Sequence, residues 1–153
     1  MNARVATYLD SLGLTEAMRF RIESLITNYE ELLDDELGDV ILSEYISDDV
    51  GRVFESVWAF TDDLIMEAPV ASDEGDQFDF VPLRRSVRHW VIKAKDYRRG
   101  AAEDTSRLSM EVWLADERVA RLRASGRNCD HLMTVGRARI LQNLAPLASG
   151  DAD

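Results

Sequence analysis

Cysteine is nearly absent from this chain. The one present, Cys129, cannot form a disulfide within the molecule, so the fold must rest on a packed core, and a cytoplasmic setting is the expectation. Histidine is almost as scarce. Of the two, His89 has no Cys, His or acid at ligand spacing, and His131 follows Cys129 by two positions on a predicted helix, where the two side chains point apart. A Cys–His nucleophile pair is excluded on these grounds, and a zinc site is not supported. No apolar run approaches the ~20 residues of a membrane-spanning helix. The opening residues Met1–Thr7 lack the apolar stretch of a secretory leader. No catalytic motif and no cofactor motif is present, and no cofactor is expected.

Positive charge is almost missing from the first half. Met1 to Phe80 holds 20 acidic residues against four arginines (Arg4, Arg19, Arg21, Arg52), a balance of −16. Val81 to Asp153 holds 14 basic residues against nine acids, a balance of +5, and the two make the net −11. A net −11 repels nucleic acid and anionic membranes at long range, so neither is the favoured partner. The split within the chain points elsewhere, to an acidic surface that meets a basic one within one fold or between two copies.

A hydrophobic fraction of 46% with 31% charged residues is the mix of a packed globular chain. Val5, Tyr8, Leu9 and Leu12 fall at helical spacing, and Gly13 ends that run. Thr15 is placed to cap a second helix carrying Met18, Ile22, Leu25, Ile26, Tyr29, Leu32 and Leu33, with Gly38 as its expected stop. The period then becomes alternating. Strands are predicted over 40–46, 52–61, 64–68, 78–80, 87–97, 108–115 and 119–124, joined by turns rich in Asp, Gly and Pro. Leu108, Met110, Val112 and Leu114 form the clearest half-buried face, which leaves Trp113 on the opposite one. A last helix is predicted from Asn128, its expected cap, through Leu132, Met133, Ile140, Leu141 and Leu144 to Pro146. The expected organisation is a helical N-terminal segment over 1–38, a β domain with its closing helix over 39–146, and a flexible tail over 147–153.

Three stretches carry a resemblance: Val53–Met66, the strand pair at 108–124, and the amphipathic close at 129–144. In element order, residues 40–144 resemble the pleckstrin-homology-like superfold, including its bacterial and GRAM-type members. The resemblance implies an α+β fold: an N-terminal helical hairpin, then a seven-stranded antiparallel sandwich or barrel closed by a C-terminal helix. It also implies a binding scaffold in place of an enzyme.

Four sets of residues are candidates for function. The helical stripe Ile22, Leu25, Ile26, Tyr29, Leu32 and Leu33 would carry a contact with a second copy or a protein partner, because two helices alone cannot bury it. The basic strip Arg84, Arg85, Arg88, Lys93, Lys95, Arg98 and Arg99, joined by Arg121 and Arg123, could bind an anionic lipid or nucleic acid. The strip could also pair with the acidic helix. Phe54, Trp58, Phe60, Trp90 and Trp113 could line a cavity for a small molecule or substrate. Glu30, Glu31, Asp34 and Asp35 stand at i,i+4 spacing, which suits Mg²⁺ or Mn²⁺ but also suits a solvated acidic face. The leading expectation is a non-enzymatic interaction module that self-associates or binds a protein.

Overall fold

The computed structural model describes residues 1–145. Two helices open the chain, α1 (Ala3–Ser11) and α2 (Glu16–Leu33). Each begins on a polar cap: Asn2 Oδ1 accepts the Val5 N–H and Thr15 Oγ1 accepts the Met18 N–H. α2 stops before Gly38, the expected end. Asp34 adopts a left-handed conformation (φ 52°) and turns its N–H back onto the Glu30 and Glu31 carbonyls. This early stop lets Leu37 turn into the core. Gly38 serves another purpose, since a Cβ there would fall on the guanidinium of Arg139.

Seven strands follow: β1 (Asp39–Ser47), β2 (Gly51–Phe60), β3 (Leu64–Pro69), β4 (Asp79–Pro82), β5 (Val87–Lys95), β6 (Arg107–Leu114) and β7 (Val119–Ser125). They form two antiparallel sheets, ordered β1-β2-β3-β4 and β5-β6-β7. The chain is therefore α+β, but the sheets do not close into a barrel. Among the described residues no strand of one sheet pairs with a strand of the other; instead β7 packs against β1, with the Arg123 N–H donating to Ser43 Oγ at 3.0 Å.

The four-stranded sheet is apolar on both faces, and each face has its own core. Val40, Leu42, Val57, Ala59, Met66 and Ala68 face α1 and α2, where they meet Leu9, Ile22, Leu25, Ile26 and Tyr29. Ile41, Trp58, Phe60 and Ile65 face the second sheet, where they meet Leu108, Met110, Val112 and Leu122. A fully buried Leu or Ile contributes about 1.5–3 kcal/mol relative to exposure, so the helices are held to the sheet by several such side chains in one chain.

A bulge breaks the expected alternation of β2. The pairing of β1 with β2 slips between Ser43/Ser56 and Glu44/Phe54, which leaves Glu55 as the extra residue. Phe54 is thereby moved off the face it was expected to share with Trp58 and Phe60, and packs toward the helices.

The closing helix is shorter than expected. α3 runs Asn128–Val135, then widens into a π turn at Gly136–Ile140 and tightens into a 3-10 turn at Leu141–Asn143. Gly136 lies at the join, where a Cβ would sit 3.0 Å from both Met110 and Trp90. Pro146 and the tail 147–153 lie outside the described residues. Asn128 is not the cap. Arg127 takes that position, because the Asn128 side chain is drawn into a buried polar cluster.

That cluster ties α1, β1, β2, β7 and α3 together. Glu44 is 1% exposed and is hydrogen-bonded through both carboxylate oxygens. Arg52 holds it with Nε at 2.6 Å and Nη2 at 2.9 Å, Asn128 Nδ2 donates at 2.6 Å, and Ser125 Oγ also donates. Asn128 Oδ1 in turn accepts from Tyr8 Oη at 2.6 Å, and Tyr8 Oη accepts the Leu42 N–H at 3.0 Å. A buried charge is costly unless paired and fully hydrogen-bonded, and here it is both.

Candidate functional site

The strands of the second sheet set out its outer face in rows. Lys93, Ser109 and Arg123 lie side by side, followed by Val91, Glu111 and Arg121, then His89, Trp113 and Val119. This face meets the first sheet at an angle, because β7 abuts β1 partway along its length. A cleft of about 620 Å³ fills the angle. One wall is the outer face just described, and the other is the end of β2 and β3 beyond the bulge. Its volume lies in the range of small-ligand sites, ~300–1,000 Å³.

Charge in the cleft is largely paired. Arg123 grips Glu55 with Nε at 2.8 Å and Nη2 at 2.9 Å, and Arg121 Nε lies 3.3 Å from Glu111. The hydrogen bonds from Arg123 hold the Glu55 carboxyl below the usual carboxylate range. Two lining charges are left over. Glu67 and Lys93 have no ion-pair partner among the described residues. Burial raises the Glu67 carboxyl above its ordinary value, with Asp79 and Glu55 adding repulsion and Ser56 opposing it. Trp58 stands directly opposite Glu67 across the β2–β3 pair, and its buried indole N–H has no hydrogen-bond partner among the described residues.

β5 bounds this face and is the edge of its sheet. Beyond Val87, which meets Leu144 and accepts the Ala145 N–H, no backbone group pairs on its free side among the described residues. Arg84, Arg85, Arg88, Lys93, Lys95, Arg98 and Arg99 are all exposed along this strand and its flanking loops, and none makes an ion pair among the described residues. The acidic half is different. Arg4, Arg19, Arg21 and Arg52 each hold a carboxylate. The acidic helix therefore does not meet the basic strip in cis. α2 lies on the other sheet.

The remaining expected sites are placed as follows. Ile22, Leu25, Ile26 and Tyr29 are 0% exposed in the single chain, Leu33 is half-buried, and Leu32 is 64% exposed. The stripe is thus covered by the first sheet and offers only Leu32 to a partner. The five aromatic residues do not line one cavity: Trp58 and Phe60 lie between the sheets with Trp90 at their margin, Phe54 lies toward the helices, and Trp113 is exposed on the outer face.

Glu30 spends its carboxylate on the N-terminal amine (2.9 Å) and the Leu37 N–H (2.9 Å). Glu31, Asp34 and Asp35 are exposed, and no three metal-ligating groups converge among the described residues. Cys129 is fully buried, and burial pushes its thiol up to about 11. His131 stacks on Tyr8 at 3.6 Å and donates from Nε2 to the Val40 carbonyl at 2.8 Å; burial lowers its proton affinity, with the Val40 carbonyl and Asp39 opposing the shift.

Sequence reasoning missed Glu67 and Glu55. For Glu67 a signal existed. The tight turn at Asp62-Asp63 pairs Phe60 with Ile65, which fixes Trp58 opposite Glu67. For Glu55 there was none, since a bulge leaves no mark in an alternating strand. No protein-family model matches the chain, and no curated protein and no solved structure matches it either.

Proposed function

We propose that this protein is a non-enzymatic interaction module that captures an extended acidic segment of another protein along β5. The observation that carries this reading is the unspent basic charge of an open edge strand. An edge strand offers a row of free N–H and C=O groups to any extended chain. Lysines on such an edge normally deter indiscriminate pairing, so a partner must bring compensating carboxylates. The exposed apolar side chains of Ile92 and Leu144 near the same edge give an incoming strand something to bury. The acidic half of a second copy is the self-associating form of the same idea.

The pleckstrin-homology-like resemblance is part of this proposal. What supports it is the division of seven antiparallel strands into four and three, with α3 packed at one end. A cytoplasmic setting accords with the single cysteine. No helix among the described residues is long and apolar enough to cross a membrane.

The test is fluorescence anisotropy with a labelled peptide of alternating Glu and Val, set against its Lys/Val counterpart. The acidic peptide is expected to bind, to weaken as salt rises, and to slow amide exchange along Val91–Lys95. Reversing Lys93 and Lys95 to Glu should abolish it. Equal binding of both peptides, or protection on the helices and none on β5, would overturn the reading. Light scattering at low and high salt reports whether a second copy is the partner.

A further inference from the structure

We propose that the outer face of the second sheet holds a site for a small phosphate monoester, its phosphoryl group gripped by Lys93, Lys95 and Arg107. The register places the donors together. Lys93 stands directly opposite Ser109, and Lys95 directly opposite Arg107, in neighbouring rows of one face. Residues so paired stand ~5 Å apart at Cβ, and the two rows are ~7 Å apart along the strands. All four residues line a concavity of about 360 Å³ that adjoins the cleft on the Lys95 side. Tyr45 and Ile46 of β1 form its other wall, and both are exposed. Arg107 is the braced member. Its Nη1 donates to the Asp104 and Ser106 carbonyls at 2.7 and 2.8 Å, which holds the guanidinium and leaves Nε and Nη2 without a partner among the described residues. Lys93, Lys95 and the Ser109 hydroxyl likewise have no hydrogen-bond or ion-pair partner among the described residues.

Like charges directly opposite across two strands are destabilising. Lys95 and Arg107 form such a pair in a chain with 29 acids against 18 Lys plus Arg, and no carboxylate relieves it among the described residues. Stability alone would favour an acid at either position, so the placement calls for an anion. The other charges at this concavity are engaged. Arg123 is held by Glu55 and lies over the Tyr45 ring at 4.5 Å, and Glu44 is buried on Arg52. Three cations and a hydroxyl remain. A single carboxylate would answer only one cation, whereas a phosphate monoester carries about −1.5 to −2 charges and three acceptor oxygens at pH 7. The volume sets the size, since it lies at the lower end of small-ligand sites, ~300–1,000 Å³. The exposed Tyr45 ring offers an aromatic contact to a flat organic group. This site goes beyond the edge reading of β5. That reading uses the free backbone of β5, and this one uses side chains of β5 and β6, although Lys93 and Lys95 serve both.

The experiment uses the full chain with phenyl phosphate, benzoate, and phosphatidylcholine vesicles carrying phosphatidic acid. Affinity is read by calorimetry and location by backbone amide resonances. Phenyl phosphate is expected to bind, to move the resonances of residues 93–95 and 107–109, and to weaken as pH falls below ~6, where the monoester takes up its second proton. Benzoate should bind ~tenfold or more weakly, through loss of charge-assisted hydrogen bonds. The vesicles present the same phosphoryl group on a membrane and should not bind, since the net −11 of the chain repels an anionic surface. Lys95→Ala and Arg107→Ala should each weaken phenyl phosphate ~tenfold. Lys95 is exposed, so its variant tests the site even where Arg107→Ala loosens residues 104–106. No binding of phenyl phosphate, equal binding of benzoate, unchanged affinity in Lys95→Ala, or capture by the vesicles alone would overturn the proposal. Arg107 lies off the edge strand, so Arg107→Ala should leave the acidic peptide bound along β5. Loss of that peptide with phenyl phosphate retained would overturn the edge reading alone.

Discussion

Glu55 and Arg123 face each other across the corner where β7 meets β1 and β2, with both carboxylate oxygens within 2.9 Å of the guanidinium. The pair exists because of the bulge, which pushes the extra residue of β2 out toward β7. Ser43 joins it, donating to Glu55 at 3.0 Å while accepting the Arg123 N–H. Side-chain exposures of 50% for Arg123 and 31% for Glu55 keep its worth modest, but two parallel hydrogen bonds make it a geometrically specific link between the sheets.

The pH dependence of stability follows from its sign. The Arg123 hydrogen bonds lower the Glu55 pKa in the folded state, so between the unfolded and folded values the unfolded chain holds more protons. The stability this pair contributes is present above the ordinary value of 4.5 and is lost as pH falls through the folded one. Urea titrations from pH 7 down to pH 3 are expected to show a shallower acid loss in Glu55→Gln than in the parent. An unchanged slope would mean that other carboxylates dominate.

Arg52 should matter more than its surface position suggests. Among the described residues it is the only cation hydrogen-bonded to the buried Glu44, and it also donates to the Leu12 carbonyl at 2.9 Å. Arg52→Ala leaves that carboxylate with Ser125 and Asn128 alone. The expected cost is about 3 kcal/mol, the low end for breaking a buried pair, because two neutral donors remain. Adding Glu44→Gln should recover part of the loss, since a buried amide costs less than an unpaired carboxylate. Denaturant midpoints of the single and double variants check this.

The elements themselves were legible in the sequence because their periods are clean. Leu108, Met110, Val112 and Leu114 alternate without a break and are all buried, while Trp113 between them is exposed. The α2 stripe was equally plain, but a stripe says only that something covers it. Whether that cover is a sheet of the same chain depends on packing between segments far apart in sequence, such as the core that gathers Ile22 and Leu25 with Val57 and Met66. Asn128 shows the same limit. Locally it reads as a cap, and it is a buried link to Tyr8, 120 positions away. The bulge at Glu55 moved Phe54 from one core to the other, and the Gly136 turn ended α3 early. Both are answers to packing that no local pattern records.

Cys129 gives a probe of opening. Its thiol is fully buried at the base of α3, and burial raises its pKa to about 11, so little thiolate forms at neutral pH and none of it is accessible. Labelling by a thiol reagent at pH 8 is expected to be slow in the native protein and rapid in urea. The native rate should rise in Arg52→Ala in step with its loss of stability, since reaction requires opening. Fast labelling of the native parent would mean that α3 detaches on its own.

Leu25 and Leu32 lie on the same helix, seven residues apart, and separate core from surface. Leu25 is 0% exposed against the first sheet, and Leu32 is 64% exposed. Leu25→Ala should cost about 2–5 kcal/mol, the range for a buried leucine that leaves a cavity. Leu32→Ala should fall within about 0.5 kcal/mol of the parent, as at an ordinary surface site. Chemical denaturation gives both values. If Leu25→Ala proves cheap and Leu32→Ala expensive, then α2 faces a partner and not its own sheet, and the cis core described above would be refuted.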